Sequence, residues 1–166
     1  FHSLNSSHMA YTEKSFDNYD IIFSPTKYIK KEIEDREKIN FLNKKIIYEV
    51  GYHRLDNLIN INNNKFIKNY IVIAPTRHNE NLIKNGADLL ISILLENKFK
   101  VELRAHHENK NKNEYKKILQ KFCTKENFFI KNTYSGEKNI IEPEFLISDW
   151  SGVAIEFSFA TERPSI

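Results

Sequence analysis

The 166-residue sequence predicts an α/β fold in which a mostly parallel sheet is covered by helices on both faces. Short runs of β-formers alternate with segments of helical periodicity along the chain, and this alternation is the pattern of parallel sheets. Phe145 to Ile166, FLISDWSGVAIEFSFATERPSI, reads as a buried strand, a sharp turn, a helix start and the beginning of another strand. With 40% hydrophobic residues the chain can bury a core and form one domain or two small ones.

The first cycle runs from Asp20 to Val50. Asp20 to Phe23 is a strand, and Ser24-Pro25-Thr26 opens a helix with Thr26 as N-cap and Tyr28, Ile29 and Ile33 as its buried stripe. Ile46 to Val50 is the next strand. Gly51 is a turn that begins a short helix carrying Arg54 and Asp56, with Asp56 structural or functional. Asn62-Asn63-Asn64 suits a linker because Asn tolerates turn and left-handed conformations.

The second cycle starts with the strand Tyr70 to Ala74, ended by Pro75-Thr76. A helix over about Glu80 to Asn97 places Leu82, Ile83, Leu89, Leu90, Ile93 and Leu94 at helical spacing. Phe99 to Leu103 is a strand, Asn113 to Phe122 a helix and Asn127 to Ile130 a strand. Phe145 to Ile147, a helix from Ser151 and a strand starting at Pro164 complete the series. Cys123 cannot make an internal disulfide and reads as a small core residue, which suits a reducing compartment.

A formal net charge of +3 with interspersed charges argues against a nucleic-acid partner; the mild basic excess suits an acidic substrate or an anionic membrane surface, and a solvated lysine-rich exterior explains it equally well. No apolar run reaches the roughly 20 residues of a spanning helix. The abundance of Asn, Lys and Ile reads as compositional bias. Both ends read as cut, so the chain is expected to be a piece of a longer protein.

In parallel sheets, ligands bind beyond the carboxyl ends of the strands. Three clusters fall there: Pro75-Thr76-Arg77-His78, Arg104-Ala105-His106-His107 and Asp149-Trp150-Ser151-Gly152. Ser151 and Gly152 fall at a helix start, where free N–H groups favour phosphate; Asp149 or Ser151 equally suits a simple N-cap. Arg104 and His106, two residues apart, suit two pyrophosphate oxygens. Glu156, in the second helical turn, suits the sugar hydroxyls of a nucleotide or a solvated face. His2 and His8 lie in a hydroxyl-rich segment suited to a cleft, where a histidine can take a proton from an acceptor hydroxyl or sit on the surface. The adjacent histidines His106 and His107 are poor partners for one ion, so no metal is expected. The sequence has neither a GxGxxG run nor a P-loop.

Taken in order, FHSLNSSHMAY, FDNYDIIFSP, GYHRLD, IAPT, LRAHH and SDWSGVAIEF resemble the CDP-glycerol glycerophosphotransferase family of bacterial teichoic-acid and capsule polymerases. The resemblance implies two Rossmann-like domains of the GT-B type, both truncated here: residues 1–64 from the first and 65–166 from the second, donor-binding domain. It implies transfer of a polyol phosphate from a CDP-activated donor to a hydroxyl of a lipid-linked or glycan acceptor, releasing CMP, without a cofactor, in the cytoplasm at the inner face of the membrane. His2 matches the family's base and His106 its second histidine. Ser151 and Gly152 match the small residues that meet the donor, and Glu156 an acidic position on the following helix. Where the family has Arg-Pro-His-Pro, this chain has Arg104-Ala105-His106-His107. A nucleotide-sugar transferase or epimerase of the same fold, and a non-catalytic binding module, are the alternatives.

Overall fold

A computed structural model describes residues 4–130 and 138–166, without the side chains of Lys138 and Asn139. The chain divides into two compact units between Asp56 and Asn57.

In the first unit, α1 (Ser7–Ala10) precedes β1 (Ile21–Ser24), α2 (Lys27–Ile39) and β2 (Ile46–Glu49). The two strands are parallel, with Ile21 opposite Ile46 and Ser24 opposite Glu49. Thr26 caps α2 as expected, its side-chain oxygen accepting the N–H of Ile29 at 3.2 Å. Ile29 and Ile33 pack with Ile22, Phe16 and Ile47. Tyr28 does not join them: it is 69% exposed, because residues 29 and 33 take the inward face and residue 28 falls beside it. Asp17 receives both Nε and Nη2 of Arg36, at 2.7 and 2.8 Å. Glu32 accepts the N–H and hydroxyl of Ser7, at 2.7 and 2.6 Å. After β2, Gly51 takes a positive φ of 78° and α3 (His53–Ile61) begins, which is the turn that the glycine predicted.

The second unit holds β3 (Ile67–Ile73), α4 (Ala87–Glu96), β4 (Lys100–Leu103), α5 (Asn113–Phe122), β5 (Phe128–Ile130), α6 (Lys138–Ile141), β6 (Pro143–Ile147) and α7 (Gly152–Thr161). Its sheet is wholly parallel in the order β5-β4-β3-β6. Ile166 N–H donates to Leu146 and Ser148 N–H donates to Ile166, so a further parallel segment begins beside β6. The sheet divides its side chains by parity. Ile71, Ile73, Val101, Leu103 and Ala105 pack with Ala87 and Ile91 of α4 and with Tyr115, Ile118 and Phe122 of α5. Tyr70, Val72 and Ala74 face the other way, against Val153 of α7. This is an α/β Rossmann-like architecture with helices on both faces.

Two expectations need correction. The helix expected from about Glu80 starts at Ala87, because Gly86 holds φ at 120° and residues 81–85 close turns on the Asn81 carbonyl. Within α4, Leu89 and Ile93 are 63% and 47% exposed, since Ala87 and Ile91 take the inward positions. Cys123 is exposed: it is the C-cap of α5, and Phe122 before it fills the core.

Asn62 and Asn64 form a local turn, Asn62 Oδ1 accepting the Asn64 N–H at 3.0 Å while Asn64 takes a φ of 58°. Asn62 also donates its side-chain amide to the Ala160 carbonyl at 2.8 Å.

Candidate functional site

The strand order creates a site by topology. Measured outward from β3, the chain goes to β4 and β5 on one side and to β6 on the other, so the connections leaving β3 and β6 diverge at adjacent carboxyl ends. Ligands of open α/β sheets sit in the crevice at such a switch point. The three clusters singled out in the sequence occupy the ends of β3, β4 and β6, three neighbouring parallel strands. With strands about 4.8 Å apart, the ends of β4 and β6 lie about 10 Å from each other.

The ends are locked together by backbone bonds. Arg104 N–H donates to the Ile73 carbonyl and Ala74 N–H to the Ile147 carbonyl, both at 2.8 Å. Ser148 Oγ donates to the Ala74 carbonyl at 2.6 Å. Beyond them, Asp149 braces the loop after β3: its Oδ1 accepts the N–H of Thr76 at 2.7 Å and its Oδ2 the N–H of Leu82 at 2.9 Å. Its Oδ1 also accepts the N–H of Trp150 at 2.9 Å.

A buried amide network ties the loop after β3 to the one after β4. Asn81, 3% exposed, donates from Nδ2 to the Thr76 carbonyl at 2.8 Å and to Asn109 Oδ1 at 3.1 Å. Asn109, fully buried, donates from Nδ2 to the same carbonyl at 2.6 Å. Neither asparagine stood out in the sequence, where Asn is abundant everywhere. For Asn81 the available signal was an amide at the start of the expected helix; Asn109 lies between the expected strand to Leu103 and the expected helix from Asn113.

Arg104 follows β4, its side chain 15% exposed. Val101, Leu103 and Ala105 enter the core with α4 and α5, so Glu102 and Arg104 point to the α7 face. There Arg104 Nε and Nη2 both donate to Glu102 Oε1, at 3.0 and 2.7 Å. His106 caps the short 3₁₀ turn His107–Asn109, its Nδ1 accepting the Glu108 N–H at 3.4 Å, and its ring lies 4.2 Å from that of His107. Burial, the neighbouring His107, Arg77 and Lys112 outweigh the opposing pull of Glu108 and hold the His106 pKa below the ordinary imidazole value.

Ser151 is the N-cap residue of α7 and Gly152 its first residue; the serine hydroxyl makes no capping bond. The simple side-chain cap considered from the sequence is therefore not formed. Glu156 is 5% exposed and belongs to the buried side of α7 rather than to a solvated face. Arg104, Asp149, Ser151 and Gly152 thus share one edge of the sheet with His106, and Glu156 lies one turn further along α7. His2 lies outside the described residues. His8 is exposed on α1.

Among the described residues, His106, His107 and Glu108 are the group with ligating atoms near enough to one another for a metal, all within 4.8 Å. No helix among the described residues is long and apolar enough to cross a membrane.

No family model matches the chain, and no curated protein matches it. Solved structures do. The wall teichoic acid polymerase TagF, as an H444N variant soaked with CDPG, is similar with a TM-score of 0.52 and 22% identity, covering 89% of this chain and 37% of that one. The H444N variant of the same polymerase gives 0.53 and 19%, over 89% and 39%. The Methanocaldococcus jannaschii UDP-GlcNAc 2-epimerase in complex with UDP-GlcNAc and UDP gives 0.55 and 18%, over 86% and 43%. The chain spans about two fifths of the length of each of these proteins. At these identities the likeness shows the fold: an α/β chain of the Rossmann-like kind found in GT-B enzymes.

Proposed function

We propose that the chain belongs to a transferase that moves a polyol phosphate, such as glycerol phosphate, from a CDP-activated donor to a hydroxyl of a lipid-linked or glycan acceptor during synthesis of a cell-surface polymer. One observation carries this reading: the loops after β3, β4 and β6 meet at the switch point and bring Arg104, His106 and the start of α7 to one rim. That set suits a pyrophosphate. The guanidinium and the helix start offer N–H donors to phosphate oxygens, and His106, whose Nδ1 accepts the Glu108 N–H, offers the proton on Nε2.

In the proposed reaction His2 takes the proton of the acceptor hydroxyl. The oxygen attacks the phosphorus that carries the polyol, the bond from that phosphorus to the CMP oxygen breaks, and CMP leaves with the bonding electrons. Arg104, His106, Ser151 and Gly152 hold the charge on the leaving group. Glu156 fixes the nucleoside end, and Asp149 holds the β3 and β6 loops in register. The 1–64 and 65–166 halves would serve acceptor and donor, with the whole protein working peripherally at the inner face of the membrane.

The second reading is a nucleotide-sugar enzyme of the same fold, favoured by the similarity to an epimerase. Incubating the whole protein and a glycan acceptor with CDP-glycerol or UDP-sugars separates the two. Release of CMP is expected; release of a nucleoside diphosphate, or turnover of a UDP-sugar alone, would replace the first reading by the second.

A further inference from the structure

The site contains a buried carboxylate for which the proposed reaction has no direct use. Glu102, in the middle of β4, is 1% exposed. Its Oε2 accepts the hydroxyl of Tyr70 on the neighbouring strand, and its Oε1 accepts both Nε and Nη2 of Arg104. Tyr70 is itself 5% exposed. Burial, then the bond to Glu102, raises the tyrosine pKa far above the ordinary phenol value, so its hydroxyl stays a donor across the working range.

These contacts form a short line along one face of the sheet, from the core to the rim. A buried ion pair is a poor way to gain stability, because desolvation offsets most of the attraction, but it fixes orientation well. An arginine side chain loses much rotamer freedom when it binds a ligand, and a guanidinium already held along one edge has less to lose. Glu102 holds the Nε/Nη2 edge. The plane of the group is thereby set.

We propose that Glu102, itself fixed by Tyr70, is a positioning residue that sets the Arg104 guanidinium for a pyrophosphate-bearing ligand. This rests on the reading of the rim as a pyrophosphate site. Glu102 acts through Arg104 and touches no reacting atom. The role needs a hydrogen-bond acceptor at residue 102, and it needs Arg104.

Both requirements can be read by calorimetric titration of the whole protein with CDP and with inorganic pyrophosphate, melting temperatures being taken in parallel. Glu102→Met and Glu102→Gln both remove the charge, but only Gln keeps an acceptor. Glu102→Met is expected to weaken binding about tenfold and Glu102→Gln to stay within about threefold of the parent. In an Arg104→Gln background, Glu102→Met is expected to change affinity no further, since the interaction it supports is gone. Parent-like binding by Glu102→Met, or an undiminished loss in the Arg104→Gln background, would overturn the proposal. If Glu102→Met does not fold, Tyr70→Phe takes its place, with a loss of about threefold that also vanishes without Arg104; a loss that persists there overturns the role. A parent protein that binds pyrophosphate but not CDP refutes the donor class and leaves positioning to be read from the pyrophosphate titrations. Binding of neither refutes both.

Discussion

Asp149, at the end of β6, receives the backbone N–H of Thr76, at the end of β3, on its Oδ1 at 2.7 Å. The same carboxylate takes Leu82 N–H on Oδ2, so one side chain spans both ends of the turn that leaves β3. Carboxylates accept backbone N–H groups strongly because the bond is charge-assisted. Asp149 therefore defines the shape of the rim at the switch point.

Asp149→Asn keeps the size of the side chain but turns one acceptor into a donor, facing an N–H group. We expect a loss of about 1–3 kcal/mol in unfolding free energy. Denaturant titration checks it; an unchanged midpoint would mean that the loops hold without this brace.

The Asn81–Asn109 pair predicts coupling. Each donates to the Thr76 carbonyl, and Asn81 also donates to Asn109. Asn109→Ala is expected to cost about 1–3 kcal/mol, because buried amide partners lose their bonds. The double change Asn81→Ala and Asn109→Ala should cost less than the sum by about 0.5 kcal/mol or more. Additive losses in a double-mutant cycle would show the two amides to be independent.

His106 gives a pH dependence. Its folded pKa is depressed below the ordinary value of 6.5, first by burial and then by neighbouring cations. The unfolded chain therefore binds the proton more readily. The stability linked to this residue is fully present above pH 6.5 and is lost as pH falls through the lower folded value. Urea titrations at about pH 7.5 and about pH 5 should show a smaller difference for His106→Gln than for the parent. An equal difference would assign the acid loss to other groups.

Glu32 gives a second acid-side dependence in the first unit. Burial raises its pKa, but hydrogen bonds from Ser7 and Ser6 outweigh that and hold it below the ordinary 4.5. Its contribution is complete above pH 4.5 and is lost as pH falls through the depressed value. Ser7→Ala removes the hydroxyl donor and should cost about 1 kcal/mol at neutral pH, with less loss at acid pH. Equal costs at both pH values would detach Ser7 from the ionisation of Glu32.

The elements legible in the sequence were those specified by neighbours along the chain. Asn113 to Phe122 emerges as α5 with those bounds, because Tyr115, Ile118 and Phe122 repeat at helical spacing and all reach the core. Thr26 was legible as a cap for the same reason. The start of α4 was not. Leu82 and Ile83 extend the apolar pattern backward, but the Leu82 N–H is taken by Asp149, sixty-seven residues away, and Asn81 is engaged with Thr76 and Asn109. A local pattern carries no record of such partners.

For the site, the sequence marked Arg104, His106, Asp149, Ser151, Gly152 and Glu156 by type and by position after predicted strands. It missed Glu102, Tyr70, Asn81 and Asn109, which bear on the rim through contacts across strands and loops.

By itself the sequence determined an alternation of strands and helices with chemically apt residues at strand ends, since periodicity and turn chemistry act over a few residues. Only the tertiary structure decided the order β5-β4-β3-β6, which puts β4 and β6 on either side of β3 and makes three distant loops neighbours. It also decided that Glu102 is the carboxylate holding Arg104 and that Asp149 joins two loops. Strand order and cross-strand hydrogen bonds depend on which surfaces can be buried together, and that is a property of the folded chain as a whole.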